Sequence, residues 1–229
     1  MSADRSARPR PAGLIADILP PMVAASESLG EAPEPATGLF PAERALLRTA
    51  GPRRRADFTA GRLCARAALD RLGVPAAPIL PGPAGEPRWP AGVTGSITHC
   101  TGYRACAVAL ATDVAAIGID AEPDQALPAG LIGAVATGPE QAWIRQLAAA
   151  VPAVSWDRLL FSAKESACKL WYPLTGEWPG LHDVVIRPDA AGTFAVRLRG
   201  QVPGARQTPM TGRWLARDGL IITALTWPP

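Results

Sequence analysis

The chain has 229 residues, 48% of them apolar and 19% charged, with a formal net charge of +3, enough to bury the core of one large domain or two small lobes. Its 23 basic residues are spread along the chain rather than gathered in one tract, so composition makes no case for nucleic acid and suits an acidic partner or a polyanionic ligand equally well. The opening "MSADRSARPRPAGLIADILPPMVAA" sets Arg before an apolar stretch, but Asp17, Pro20 and Pro21 interrupt it and no other run is long enough to cross a bilayer, so a cytoplasmic protein with residues 1–12 disordered is expected.

In chain order, "PAERALLRTA" (41–50) and "PRRRADFTAGRLCARAALDRLG" (52–73) read as helices. The second opens on Pro in its first turn and closes on Gly73. Its apolar residues Phe58, Leu63, Ala67 and Leu72 roughly follow helical spacing. After the Pro- and Gly-rich loop "LPGPAGEPRWP", the segments "VTGSITHC" and "YRACAVALAT" read as paired strands and "VAAIGID" as a third. "GPEQAWIRQLAAA" starts a helix at Pro139, and "SWDRLLFSAKESACKLWYPLTG" a longer one, with Ser155 as N-cap and Pro173 as its end. "HDVVIRP", "TFAVRLRG", "GRWLARDG" and "LIITALTW" then read as four strands, two of them joined across Arg217-Asp218-Gly219. Helices followed by strands, twice over, predict an α+β architecture of two lobes, 13–116 and 117–229.

The segment "IGIDAEP" (117–123) ends a predicted strand in two carboxylates. Side chains alternate along a strand, so Asp120 and Glu122 point to one side about 7 Å apart while Ala121 faces away. Two convergent oxygen ligands at that separation suit Mg²⁺, which takes one or two carboxylates and fills its other positions with water and phosphate. An exposed strand end would show the same pattern. Glu165, in "FSAKESACKLW", is the candidate third carboxylate. Its i,i+4 relation to Lys169 fits a surface salt bridge, but Leu159, Leu160, Phe161, Leu170 and Trp171 around it argue for burial, and a buried charge needs a metal, a phosphate or an ion partner.

Lys164 and Lys169 are the only lysines among those 23 basic residues, which suggests that a compact ammonium is needed where guanidinium cannot serve. His99 lies between two predicted strands in "GSITHCTGY", whose small residues offer free backbone N–H groups to an anion; a purely structural His reads the same. Arg53, Arg54, Arg55, Arg62 and Arg66 make the second helix basic, either as a solvated face or as a set of phosphate clamps. Cys64, Cys100, Cys106 and Cys168 show no metal-ligand spacing and read as reduced thiols.

Together, "GSITHC", "IGIDAEP" and "FSAKESACKLW", in this order and spacing, closely resemble the signature of the 4′-phosphopantetheinyl transferases. "RRRADFTAGRLCARAAL", "GEPRWP" and "YRACAVAL" extend the likeness, over about residues 40 to 225, to the single-chain, two-lobed branch that serves siderophore, nonribosomal peptide and polyketide synthases, especially its actinobacterial members. The resemblance implies two similar lobes, each a small antiparallel sheet packed with helices, with coenzyme A in the cleft between them and a monomeric enzyme. It implies transfer of the phosphopantetheine arm of coenzyme A to a serine of an acyl or peptidyl carrier protein, with release of adenosine 3′,5′-bisphosphate.

By the family pattern Asp120 and Glu122 bind Mg²⁺, the carbonyl of Ala121 is a further candidate ligand, and Glu165 completes the acidic set as ligand or as base. Lys164 and Lys169 resemble lysines that meet the phosphates. Arg54 and Arg62 match arginines that bind the nucleotide phosphates, and Thr98 and His99 match a loop that contacts coenzyme A. Relatives often carry a basic residue just before the "GEP" turn, where this chain has Pro81 and Ala84; Arg88 is the candidate to replace it. Two other readings share these residues: a Mg²⁺-dependent phosphohydrolase, and a non-catalytic module that binds carrier proteins.

Overall fold

The computed structural model describes residues 13–30, 37–198 and 210–229; the segment 1–12, expected to be disordered, lies outside them. Five helices and eight strands follow one another as β1 (Ala24–Leu29), α1 (Pro41–Ala45), α2 (Pro52–Leu72), β2 (Val93–Cys100), β3 (Tyr103–Leu110), β4 (Ala116–Pro123), α3 (Ile132–Val135), α4 (Gly138–Ala150), α5 (Trp156–Thr175), β5 (Val184–Pro188), β6 (Thr193–Leu198), β7 (Met210–Arg217) and β8 (Leu220–Trp227) among the described residues. They form two antiparallel sheets, one ordered β1-β3-β2 and the other β4-β8-β7-β6-β5. This is the expected α+β arrangement of two sheets packed with helices.

Each sheet carries a long helix on one face. On α2, Cys64, Ala65, Ala68 and Leu69 pack on Cys106 and Val108 of β3. Of the expected Phe58, Leu63, Ala67 and Leu72, Phe58 is buried, in a separate cluster with Leu39 and Leu47, and Leu72 packs partly buried on the α2–β3 core, whereas Ala67 is exposed and Leu63 half-buried. Small residues win this face because they let the helix approach closely, as at Gly61, where a Cβ would stand 3.2 Å from Ile97 Cγ2. On α5, Leu159, Leu160, Ala163 and Ala167 pack on Ala116, Ile221 and Leu225. This helix runs through Pro173 instead of ending there, and closes at Gly176, whose φ of 77° supplies the left-handed cap. The lost N–H falls in the last turn, where little helix remains to break. Ser155 does stand at the N-cap position, but its side chain makes no capping bond.

The opposite faces of both sheets share a single core. Tyr103, Ala105, Ala107 and Ala109 of β3 meet Ile117, Ile119 and Ala121 of β4 and Leu220, Ile222 and Ala224 of β8. Leu14, Ile15, Ile18, Leu19 and Val23 close this core from beneath, so the apolar N-terminal stretch is structural packing. Glu27 of β1, a strand absent from the sequence expectations, ties it down by accepting the Leu14 and Ile15 N–H groups at 2.9 Å and the Tyr103 hydroxyl at 2.8 Å. The β7–β8 hairpin turns at Asp218 (φ 55°) and Gly219 (φ 73°), the two positive φ values of a type I′ turn. No described helix is long and apolar enough to cross a membrane.

Candidate active site at the seam of the two sheets

β2 and β4 are edge strands of different sheets, and they meet at the seam. On β4 the odd residues Ile117, Ile119 and Ala121 enter the shared core. Gly118 and Asp120 therefore face the other way, towards α5. Gly118 lets the helix sit against the strand: a Cβ there would lie 1.8 Å from the Ser166 carbonyl oxygen. Buried hydroxyl bonds hold the same turn of α5 to β8, with Thr223 Oγ1 2.5 Å from Ser166 Oγ and 3.0 Å from Ser162 Oγ.

This close approach brings Lys169 to Asp120. Lys169 Nζ donates to Asp120 Oδ1 at 2.7 Å and to the Ile119 carbonyl at 3.3 Å. Lys169 thus forms this longer-range pair rather than the alternative i,i+4 surface bridge to Glu165, because a carboxylate that is only 5% exposed has more need of a cation. Thr98 of β2 donates its hydroxyl to the same Oδ1 at 3.1 Å. Asp120 Oδ2 is buried and, among the described side chains, has no hydrogen-bond partner.

Glu122 is half-buried and takes a different cation: Arg158 Nη1 donates to its Oε2 at 3.0 Å. The same guanidinium binds the carbonyls of Gln125 and Ala126, which fastens the end of β4 to the start of α5. Arg158 was not singled out in the sequence, although 158, 165 and 169, spaced by seven and four, share one helical stripe. Burial pushes the Glu122 carboxyl up, the Asp120 charge adds to that, and Arg158 opposes it. Glu165 is likewise pushed up by burial and then by Asp120, with Lys169 opposing. Glu122 and Glu165 thus both sense the Asp120 charge.

They are not gathered into a ready ligand set. Among the described residues no three His, Cys, Asp or Glu side chains are grouped to hold a metal ion. Lys169 pairs with Asp120 and Arg158 with Glu122, so the two carboxylates take different cations. The donors still fit a hard divalent ion: all are carboxylate oxygens, and the unpartnered Oδ2 of Asp120 lacks a positive partner of its own.

The basic residues divide. Arg54 is exposed near the start of α2, its guanidinium 5.8 Å from the Phe58 ring centre. Arg62 stacks on the same ring at 4.2 Å but is buried, and Nε donates to the Ile79 carbonyl at 2.8 Å. Burial lowers its pKa to about 10, with Glu43 opposing. Arg66 is spent on Glu43 and the Gly38 carbonyl, and Arg55 on the carbonyls of Ala50 and Arg48.

His99 lies near the end of strand β2, which covers the expected "VTGSITHC", and is exposed. Its Nδ1 lies 3.9 Å from Asp57 Oδ2. Burial of part of its ring lowers its pKa; Asp57 opposes this, and Lys169, Arg54 and Arg104 add to it. Arg54 of the N-terminal half and Lys169 of the C-terminal half thus both act on the His99 ring. Thr98 is buried, its hydroxyl engaged with Asp120 and Ala121 rather than open to a ligand.

Lys164 does not join this group. It is fully buried on the opposite face of α5, with Nζ 2.9 Å from Glu140 Oε2 and 2.8 Å from the Leu181 carbonyl. Neighbouring residues on a helix diverge by about 100°, and here Lys164 turns to Glu140 while Glu165 is half-buried on a different side of the helix. Arg88 is exposed.

The sequence comparisons bear on the whole of this arrangement. Residues 42–109 match the model of the 4′-phosphopantetheinyl transferase N-terminal domain, and residues 116–214 that of the 4′-phosphopantetheinyl transferase superfamily. The chain belongs to the 4′-phosphopantetheinyl transferase family. It is 48% identical over 218 residues to the 4′-phosphopantetheinyl transferase Svp of Streptomyces mobaraensis, covering 93% of this chain and 88% of the relative. It is 42% identical to Npt of Nocardia iowensis, over 93% of this chain and 100% of that one. With PptT of Mycobacterium tuberculosis the identity is 40%, over 93% and 97%. The family models divide the chain between β3 and β4, where the two sheets part.

Proposed function

We propose that this protein transfers the 4′-phosphopantetheine arm of coenzyme A to a serine of an apo acyl or peptidyl carrier protein and releases adenosine 3′,5′-bisphosphate. The observation that carries the reading is the buried, half-satisfied carboxylate of Asp120, set against Lys169 and flanked by two carboxyls of raised pKa. A phosphoryl transfer site must gather positive charge around a diphosphate and supply a proton acceptor to the attacking hydroxyl, and this seam offers groups for both.

Asp120, Glu122 and Glu165, with the Ala121 carbonyl, would hold Mg²⁺, which supplies charge neutralisation at the diphosphate oxygens. Arg54 and His99 bind the nucleotide phosphates, and Lys169 brings its ammonium to the reacting end. Glu165 accepts the proton of the carrier serine as its oxygen bonds to phosphorus. The bond from that phosphorus to the bridging oxygen breaks, and the nucleotide leaves with it. The net positive charge of the chain suits the acidic helices of carrier proteins.

Incubation with coenzyme A, Mg²⁺ and an apo carrier tests the reading: the carrier gains the mass of the phosphopantetheine arm. Release of free phosphate with no change in the carrier would instead identify a phosphohydrolase. Carrier binding with neither outcome would identify a binding module.

A further inference from the structure

Ser96 and Thr98, alternate residues of β2, both reach across the seam to β4. The Ile119 N–H donates to Ser96 Oγ at 3.2 Å, and the Ala121 N–H donates to Thr98 Oγ1 at 3.1 Å. All four residues are buried. Two sheet edges are thus joined by side-chain hydroxyls that take the place of a backbone ladder, which satisfies amide donors that burial would otherwise leave costly.

The two hydroxyls differ in what they do next. Thr98 Oγ1 accepts from the backbone of Ala121 and donates its hydroxyl hydrogen bond to Asp120 Oδ1 at 3.1 Å. The circuit leaves β4 through a main-chain amide, passes through a side chain of the other half, and returns to β4 at a carboxylate. Because the Ala121 amide occupies one lone pair of the hydroxyl, the direction of its proton is fixed. Lys169 binds the same Oδ1 at 2.7 Å. With both donors on one oxygen, rotation of the carboxylate is restrained and Oδ2 is left unpartnered.

We propose that Thr98 is a positioning residue that holds the Asp120 carboxylate so that Oδ2 is presented to a divalent cation. The inference rests on the reading of Asp120 as a cation ligand. It makes cation affinity depend on the β2–β4 seam, since Thr98 belongs to one sheet and Asp120 to the other.

The test is Mn²⁺ uptake by the full-length protein, followed by electron paramagnetic resonance of the free ion, in wild type, Asp120→Asn, Thr98→Val, Thr98→Ser and Ser96→Ala. Loss of an outer partner of a metal ligand typically costs about 10- to 100-fold in metal affinity. Thr98→Val, which keeps the shape and loses the hydroxyl, should fall in that range, and Thr98→Ser should stay within about threefold of wild type by retaining the donor. Ser96→Ala removes the matching seam bond without touching Asp120, so it should lower thermal stability and leave Mn²⁺ affinity unchanged. Thr98→Ala serves the same comparison if the valine variant does not fold.

Wild-type affinity in Thr98→Val, or equal losses in Thr98→Val and Thr98→Ser, would overturn the positioning role alone. No uptake by wild type, or full uptake by Asp120→Asn, would overturn the ligand assignment of Asp120 and the positioning role with it.

Discussion

Gly118 of β4 lies directly beneath the Ser166 carbonyl of α5, so close that a methyl group at Gly118 would stand 1.8 Å from that oxygen and 2.9 Å from the Leu170 amide. The obstacle is backbone, which cannot rotate aside. Gly118→Ala must therefore lift α5 from the strand and carry Glu165 and Lys169 away from Asp120. Overpacking of this kind costs about 1–3 kcal/mol. Chemical denaturation should show that loss, and transfer to a carrier should fall more steeply than stability alone explains. An alanine variant with wild-type stability would show that the helix tolerates the displacement.

Asp120→Asn keeps the volume of the side chain and a hydrogen-bonding oxygen for Lys169 and Thr98, but removes the charge. Electrostatic stabilisation of a phosphoryl transfer by a bound cation is worth several kcal/mol, so the rate of carrier modification should drop by about 100-fold or more. Thermal unfolding should shift only modestly. Full activity at saturating Mg²⁺ would remove Asp120 from the site.

Arg54 and Arg62 share one aromatic ring but should fail differently. Arg54→Ala removes an exposed charge, so coenzyme A affinity measured by titration calorimetry should weaken by about tenfold or more with little change in stability. Arg62→Ala empties a buried position over Phe58 and leaves the Ile79 carbonyl without its donor; it should be seen first in the melting curve. An unaltered affinity in Arg54→Ala would exclude that phosphate contact.

Lys164→Met should behave as a core mutation. Breaking a buried ion pair from one side costs about 3–5 kcal/mol. Burial would raise the Glu140 carboxyl, but bonds from the Ile186 and Thr137 amides, from Lys164 and from the Thr137 hydroxyl outweigh it and hold the pKa below its ordinary value of 4.5. A depressed carboxylate contributes stability above the unfolded pKa and loses it as pH falls through the folded one. The gap in stability between wild type and Lys164→Met should therefore be full at neutral pH and narrow below about pH 4. A gap that does not change with pH would mean that Glu140 is not the group concerned.

Much of the architecture was legible in the sequence because the relevant signals are local. Pro52 and Gly73 bound α2, and the Asp218-Gly219 turn marks the β7–β8 hairpin. The alternation that sends Asp120 and Glu122 to one side and Ala121 into the core could also be read directly. The strand β1 and the packing of Leu14 to Val23 could not, since "VAASESLG" alternates weakly and its Glu27 is half-buried, held there by the distant Tyr103 and two amides. At the site, Lys164 and Lys169 were equal candidates by composition, and only the face of α5 that Gly118 admits separates them. Cation partners were the least legible feature. Which of two neighbouring charges a carboxylate chooses depends on burial, and burial is set by contacts between segments far apart in the chain.

The apolar floor common to the two sheets has a practical consequence. A polypeptide divided between β3 and β4 would leave Tyr103, Ala105 and Ala107 wet on one fragment and Ile117, Ile119 and Ile222 wet on the other. Neither fragment is then a free-standing domain, despite the separate family models that cover them. Co-expressed, they are suited instead to a split reporter in which enzyme activity returns only when the fragments are brought together.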